Sequence, residues 1–360
     1  MDSVYVLNQN LDFLGVIDEY VSIIWRPAYF DIGDCEIYLS ATDKAVGLLR
    51  ENNFVVRSSD ITVDKEGNTT YKKIMIIKNI QLVTDVENGD YITATGRELK
   101  YLLHQRIVWN QTNLTGSVES ALRRLVTENA ISPTNSNRII PNLILGDEAG
   151  LTSTIEKQVT GDYLDQAIID ICSSYNYGWD IHMVNEQLIF SVYEGVNRSF
   201  NQVENPYVVF SEDFDNLHNT DYQLNTEEFA NTSLIGGEGE GSSRIYVSVG
   251  DGNVGLNRYE LFVDARDVSR NAGNEDEIPL STYYSLLRER GYEKLAELTY
   301  TEGFSGEVLS DIAFKYGEDF DLGDLVTVIN KYGISRDVRV LSAIESEDES
   351  GTKLVPQFNI

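Results

Sequence analysis

The chain has three histidines, His104, His182 and His218, and these are the first residues to consider for chemistry. An imidazole can serve as a general base or as a metal ligand, but either role needs partners at a defined spacing. No pair of these histidines has such a spacing, and the sequence contains no HExxH, Gly-x-Ser-x-Gly, Walker loop or Cys-His pairing. We therefore predict no catalytic residue, no cofactor and no metal site, and we expect that the protein is not an enzyme.

Acidic turns are the next candidates. Residues 318–324 (EDFDLGD) offer the carboxylates that Ca²⁺ prefers, but the twelve-residue loop with its terminal Glu is missing. We interpret this segment as a turn that leads into a strand, and we interpret residues 251–253 (DGN) as another tight turn. The 58 Asp and Glu residues include no pair that the sequence singles out for glycoside cleavage.

Three tryptophans, Trp25, Trp109 and Trp179, could stack on sugar rings, and their other interpretation is as core anchors. The sugar interpretation leaves a cell-wall hydrolase or carbohydrate-binding module as the alternative function. Cys35 and Cys172 have neither a disulfide framework nor a metal spacing, so we predict two buried, unreactive thiols.

Composition limits the classes of protein. A chain of 360 residues can form two or three cores. The 21 Tyr against 3 Met favour half-buried strands. A net charge of −30 disfavours sequence-specific binding of nucleic acid. The sequence shows neither a cleavable signal nor an apolar run of transmembrane length, so we predict a protein that is neither exported by such a signal nor membrane-spanning.

A repeated phrase organises the chain: FDIGD at 30–34 and FDLGD at 320–324, each followed by an alternating strand. Gly33 and Gly323 are both predicted to adopt φ > 0, because glycine lacks the Cβ that clashes there. Each copy is followed by a hairpin with an acidic, Gly-containing turn, and the hairpins comprise residues 73–95 and 338–358. The repeat predicts two related β-domains.

The predicted fold is mainly β with an α+β insert: two related β-barrel domains, a small α/β domain, and a helix before the closing strands. The first barrel takes 1–109 and is completed by 200–232, where strands at 207–210 and 219–224 return to the first sheet. The insert takes 110–199 and holds two amphipathic helices and a hairpin. The second barrel takes 233–360, with its helix at 282–298. Another helix is predicted to begin at Gly96 and to span 97–107.

Five segments together resemble the siphophage tail-hub family, which is related to the baseplate hubs of contractile phage tails and to the N-terminal region of tail-associated lysins. These segments are IIWRPAYFDIG at 23–33, ITATGREL at 92–99, RIVW at 106–109, FSEDFDNL at 210–217, and residues 319–328. Tail-associated lysins carry a further peptidase or lysozyme region. This chain stops at Ile360, directly after its last predicted strand, so a structural hub alone is expected.

The resemblance implies a homotrimeric ring at the virion tail tip, assembled in the bacterial host cytoplasm, that joins the tail tube to the tip and lets DNA pass with only passive contact. It implies distal tail, tape-measure and receptor-binding or tip proteins as partners, and no membrane insertion. Two barrels per subunit would match the six-fold symmetry of the tube. We expect the negative charge to give an anionic channel wall. The hub of a phage-tail-like bacteriocin or injection machine is an alternative.

Overall fold

The computed structural model describes residues 2–87, 89–271, 277–308 and 314–359, and these residues form a mainly β protein with an α/β insert, as predicted. The strands are β1 Val4–Leu7, β2 Phe13–Ile17, β3 Ser22–Arg26, β4 Asp34–Ser40, β5 Phe54–Arg57, β6 Ile61–Val63, β7 Thr69–Tyr71, β8 Met75–Val83, β9 Tyr91–Glu98, β10 Thr112–Ser117, β11 Leu143–Leu145, β12 Thr154–Val159, β13 Gly178–Val184, β14 Gln187–Tyr193, β15 Val209–Ser211, β16 Leu217–Asn225, β17 Thr232–Gly236, β18 Tyr246–Val249, β19 Glu260–Asp264, β20 Thr301–Val308, β21 Leu325–Ile329, β22 Ser335–Asp348 and β23 Gly351–Asn359. The α-helices are α1 Asp43–Leu48, α2 Val118–Val126, α3 Leu164–Tyr175 and α4 Leu280–Glu297. Within the part of the chain that the structure describes, the helices lack the combination of length and hydropathy that a membrane span requires.

One sheet of 13 strands joins the two ends of the chain. Its order is β16-β20-β23-β22-β3-β4-β9-β8-β5-β1-β2, and β21 pairs with β22 and with β15 beside this path. The two halves meet where β3 pairs antiparallel with β22, with Trp25 opposite Glu345 and Ser22 opposite Asp348. The amino-terminal and carboxy-terminal strands are therefore continuous through backbone hydrogen bonds.

Each half of the sheet has its own core. In the amino-terminal half, alternate residues point inward, so Cys35, Ile37 and Leu39 are buried while their neighbours on β4 are partly exposed. In the carboxy-terminal half, Phe210 lies 5.1 Å from Phe320 between ring centroids, in an edge-to-face contact. Each half of the sheet thus packs around its own cluster of apolar side chains.

The insert packs its helices α2 and α3 against the outer side of the first half, in a core that includes the fully buried Trp179. Its sheet has the order β11-β14-β13-β7-β6. Two of these strands, β6 and β7, come from residues 61–71 and lie outside the predicted range 110–199, because a strand pattern does not name its pairing partner.

A second small unit consists of the sheet β18-β17-β19 covered by α4. Gly291 lets the helix approach closely, since a Cβ there would lie 2.5 Å from Ile235 Cδ1. The strands predicted at 207–210 and 219–224 are present as β15 and β16, and both join the large sheet that contains the first strands of the chain. Within that sheet they lie beside the closing strands, because β15 pairs with β21 and β16 pairs with β20, and they help to cover the aromatic core there.

The structure also differs from the helix predicted at 97–107. Strand β9 extends through Glu98, and only Leu99–Gln105 is helical, as a 3₁₀-helix. Gly96 is a strand glycine that permits close approach, because a Cβ there would lie 2.7 Å from the carbonyl oxygen of Ile76. The predicted hairpins after the repeated phrases are confirmed as β8-β9 and β22-β23.

The two repeated glycines differ. Gly323 has φ 86°, as predicted, and a Cβ on it would lie 2.2 Å from the Tyr29 ring. Gly33 does not have a positive φ, so that prediction is wrong. A Cβ on Gly33 would instead lie 2.1 Å from the carbonyl oxygen of Arg26, and its amide donates to Glu98 Oε2 at 2.6 Å. Close packing, not turn conformation, requires glycine there.

A buried ion cluster ties the halves together beside the β3-β22 pair. Arg57 of β5 donates to Asp60 at 2.7 Å and to Glu345 of β22 at 3.0 Å, and Lys73 donates to Glu345 at 2.9 Å. Burial acts to raise the pKa of Glu345, but Arg57 and Lys73 outweigh it and hold that pKa below its ordinary value. For Asp60 burial prevails and the pKa is raised.

Substitution of either repeated glycine should destabilise the protein, for different reasons. Gly323→Ala adds a left-handed non-glycine residue and a clash with Tyr29, at a cost of about 1 to 3 kcal/mol from the backbone alone. Gly33→Ala forces a clash with backbone. Gly47→Ala is the matched control, because nothing lies within 4 Å of a Cβ there. Thermal denaturation should give lower melting temperatures for the first two variants only; an unchanged melting temperature at either site would contradict the assigned packing.

Glu345→Gln should lower the free energy of unfolding by about 2 to 4 kcal/mol at pH 7, because it leaves Lys73 without its close partner. Since the folded pKa of Glu345 lies below its unfolded value of 4.5, the stabilisation is complete above that pH and is lost as the pH falls through the folded pKa. Denaturant titrations from pH 7 to pH 3 should therefore converge for wild type and variant. The control Glu349→Gln, on the exposed tip of the same hairpin, should match wild type throughout.

Candidate functional site: an eight-strand surface with two free edges

Eight consecutive strands of the large sheet form one surface, in the order β16-β20-β23-β22-β3-β4-β9-β8. At one end, β8 pairs with β5 only through Met75 and Ile76, so residues 79–83 pair on one side alone, with β9. At the other end, β16 pairs only with β20 among the described residues. The surface therefore ends in two edges that could accept another strand.

Both edges expose apolar side chains. Leu82 is 51% exposed on β8, next to the partly exposed Ile80 and Val83, and Leu224 is 54% exposed on β16. Proteins usually protect such edges, because unpaired backbone groups beside apolar side chains bind other strands. Charge or proline is the common protection, and neither occupies residues 79–83. The arrangement is typical of strand edges that are covered in an assembly.

The face of the eight strands that points away from the cores is polar and carries both signs of charge. Asp34 anchors its amino-terminal part, with Arg26 at 3.4 Å and Arg97 at 4.0 Å, and Tyr38 stacks on Tyr91 with ring centroids 5.3 Å apart. Among the described side chains, register and burial also place Glu36, Asp221, Asp348 and Lys353 on this face. These side chains carry both signs of charge, so the described part of this face is not uniformly acidic.

Buried acids hold the carboxy-terminal end of this surface. Glu302 of β20 accepts hydrogen bonds from the Tyr222 hydroxyl and, at 2.8 Å, from Arg336 Nε. The hydrogen bond to Glu302 raises the pKa of Tyr222. Asp324, in the second repeated phrase, accepts from the Val196 amide at 2.7 Å and from Arg198 at 2.8 Å. These contacts fix the free-edge strand β16 and the end of the insert against the second core.

The acidic segment 318–324 leads directly into β21, so its interpretation as a turn before a strand is confirmed. Its carboxylates bond to neighbouring groups: Asp319 accepts from the Lys315 amide, and Asp324 is held as described. Residues 251–253 also form a turn, but the strands that flank it pair with β17 rather than with each other. Within the described ranges, no group of three or more His, Cys, Asp or Glu side chains could hold a metal ion.

The three histidines lie on separate elements. His104 Nδ1 donates to Asp165 at 2.9 Å and the ring stacks between Tyr101 and Tyr163. His182 lies 3.3 Å from Asp180 in β13, and His218 lies in β16. Each has a local structural environment, and no pair is assembled into a common site.

Both cysteines are buried and free, as predicted, and burial raises the pKa of each thiol. Trp25 and Trp179 are core anchors, as the structural interpretation held, and their indole N–H groups donate to Lys73 and Phe30 carbonyl oxygens. For Trp109 that interpretation is wrong. Its side chain is 62% exposed, because the 3₁₀-helix has ended and the chain runs along the outside of the insert.

Sequence reasoning missed the two free edges. For β8, the available signal is the alternation of Ile80 and Leu82, since it continues past the point where β5 stops pairing. For β16, the comparable signal for the exposure of Leu224 is the alternation of polar residues along the strand. Neither pattern shows that the strand is an edge, because pairing partners lie far apart in sequence.

Comparison with known proteins relates the whole chain to phage tails. Residues 3–358 match the family model described as Siphovirus ReqiPepy6 Gp37-like protein. The search of curated proteins found no match. Three solved structures are similar over nearly the full chain, and their low sequence identities make this a likeness of fold.

The tail protein from Neisseria meningitidis MC58 is 14% identical with a TM-score of 0.59, covering 100% of this chain and 96% of that one. The prophage MuSo2 43 kDa tail protein from Shewanella oneidensis is 12% identical with a TM-score of 0.55, covering 99% and 98%. The prophage tail protein gp18 from Listeria monocytogenes EGD-e is 13% identical with a TM-score of 0.52, covering 99% and 94%. The chain therefore belongs to the Siphovirus ReqiPepy6 Gp37-like family and has a fold similar to that of solved phage and prophage tail proteins.

Proposed function

We propose that this protein is the structural hub of a phage or prophage tail tip, and that three copies close into a ring through the two free edges of the eight-strand surface. The observation that carries the proposal is the position of these edges at opposite ends of one continuous surface. Two different edges on one subunit suit a head-to-tail contact, and head-to-tail contacts generate a closed ring when the rotation between successive copies closes. Pairing 79–83 of one copy with β16 of the next would leave neither edge exposed.

The symmetry of the ring follows from the two halves of the surface. One half contributes β3, β4, β9 and β8 over the amino-terminal core, and the other contributes β22, β23, β20 and β16 over the carboxy-terminal core. Three copies would therefore place six similar four-strand units around one axis. Such a ring could join a tube of six-fold symmetry to a three-fold tip.

The inner face of this ring would be the polar face of the eight strands. Arg26 and Arg97 of this face both lie against Asp34, so these two arginines do not form a free basic stripe for phosphate. Its mixed charge supports a wall that lets DNA pass without holding it, although not the strongly anionic wall that the net charge suggested. Passive contact with passing DNA is part of this proposal.

Strand pairing also suggests the domain division. We propose an amino-terminal β-domain within 1–109, without β6 and β7, which join the insert of 110–199. The carboxy-terminal β-domain would combine 200–225 with 301–359, and 232–298 would form a separate outer unit. This division replaces the assignment of 200–232 to the first barrel.

The proposed location is the virion tail tip, with assembly in the bacterial host cytoplasm. Distal tail, tape-measure and receptor-binding or tip proteins are the proposed partners, without membrane insertion by this chain. A hub of a phage-tail-like bacteriocin or injection machine would use the same ring, and the neighbouring genes would distinguish these particles.

The proposed contact between the two edges can be tested by placing a charged side chain in it. Leu82→Lys and Leu224→Lys should each weaken the trimer, because a buried lysine without a partner is costly at an interface. Val254→Lys is the control, since Val254 is also highly exposed but lies in the outer unit. Light scattering with axial electron-microscope averages should show a three-fold ring for wild type and control, and smaller species for the edge variants. A wild-type monomer that also fails to assemble with its tail-tip neighbours would contradict the ring.

Incubation with purified peptidoglycan should release no soluble muropeptides or peptides. The reasons are that the proposed role is structural and that the described histidines and cysteines do not form a catalytic group. Heat-treated protein sets the background and a commercial lysozyme the positive control. Release above that background would favour the alternative of a cell-wall hydrolase.

A further inference from the structure

Trp109 lies at the centre of an exposed surface patch that the ring does not use. We define the Trp109 patch as Arg106, Trp109, Arg138, Ile139 and Tyr163. Trp109, Ile139 and Tyr163 are all large and exposed. They come together because Ile107 bridges to Tyr163 and because the Arg106 side chain binds the backbone at Arg138 and Ile139. Tryptophan, tyrosine and arginine are the residues most enriched at the centres of protein interfaces.

Carbonyl oxygens hold the two arginines of the patch in place. Arg106 Nε donates to the Arg138 carbonyl oxygen at 2.6 Å, and Arg138 Nη2 donates to the Ile107 carbonyl oxygen at 2.6 Å. The Arg138 guanidinium also lies over the Trp109 ring, 5.0 Å from its centroid. These contacts orient both guanidinium groups before any partner arrives, which lowers the entropy lost on binding.

No carboxylate neutralises these arginines within the described part of the chain. Most other arginines are in ion pairs, as expected with 58 acidic residues against 28 basic ones. Asp165, which lies near the patch, already accepts from His104. Burial lowers the pKa of Arg106, and the charge of Arg138 lowers it further, so the two cations repel each other in a partly desolvated setting. A carboxylate from outside would relieve this repulsion.

We propose that the Trp109 patch docks an acidic segment of a partner protein, whose carboxylates bind Arg106 and Arg138 while a neighbouring apolar side chain packs on Trp109 and Ile139. Guanidinium groups bind carboxylates with charge-assisted and often bidentate hydrogen bonds. The flanking aromatic surface favours a peptide over a simple anion, since it would bury apolar area only with the former. This docking does not depend on closure of the ring.

Fluorescence quenching tests the local charge on the unmodified protein. Trp25 and Trp179 are buried, so soluble quenchers reach Trp109 in preference. At equal ionic strength, and with each quenching constant divided by that of free N-acetyltryptophanamide, iodide should quench more strongly than caesium, despite the net charge of −30. The difference should disappear in Trp109→Phe. Stronger quenching by caesium would show a negative local potential and overturn the proposal.

Titration with peptides tests whether an acidic segment binds the Trp109 patch. The probe Ac-Glu-Glu-Leu-Glu-Glu-NH₂ should shift the Trp109 emission, and its all-glutamine counterpart should bind at least about tenfold more weakly. Arg106→Gln and Arg138→Gln should each weaken binding about tenfold, as the loss of a charged hydrogen bond predicts. Arg50→Gln is the matched control, because Arg50 is exposed and bonds only to a carbonyl oxygen, that of Gly47. Arg106→Lys keeps the positive charge but loses the forked guanidinium group, so this variant should bind the acidic peptide with intermediate affinity.

Each contrary result would overturn a specific part of the docking proposal. Equal binding of the two peptides, no binding of either, or an equal effect of Arg50→Gln would exclude carboxylate docking at the patch. Sulfate that competes as well as the acidic peptide would show a simple anion site. Arginine variants that change the sedimentation of the protein but not its affinity for the peptide would show that a second copy of the chain occupies the patch.

Discussion

The pairing of β3 with β22 is the interaction on which the rest of the structure depends. It joins strands more than 300 residues apart in sequence, and its four residue pairs convert two separate β-units into one surface. The buried cluster of Arg57, Lys73 and Glu345 lies against the same junction and makes the pairing specific, because a shifted register would leave a buried charge without its partner. Without this junction, the two free edges would not belong to one surface.

Much of the fold could be predicted from the sequence, because its local patterns are strong. The alternation in β4 and β9, the amphipathic spacing of α2 and α3, and both hairpins after the repeated phrases are all present in the structure. The repeated glycines show the limit of this reasoning. Gly323 needs its left-handed conformation, whereas Gly33 needs the space beside Arg26, and two nearly identical local phrases cannot distinguish these causes.

The pairing of strands that lie far apart in sequence was the second feature that could not be predicted. The sequence identified β15 and β16 as strands but not their partners, and the partners decide which core they cover. The free edges could not be predicted for the same reason, since an edge is defined by the absence of a neighbour. Trp109 was ambiguous because an indole near the end of a helix suits either a core or a surface, and only the path of the chain beyond it decides.

β22 also has a mechanical consequence. It is a single strand of 14 residues, about 46 Å when extended, and it contributes to the second core through Val338 and Val340 before it reaches β3. Bending one half of the subunit against the other would shear this strand and break its pairing with β3. The subunit should therefore resist bending between its two halves. In the proposed ring, any widening would therefore occur at the contacts between copies rather than by deformation of a subunit.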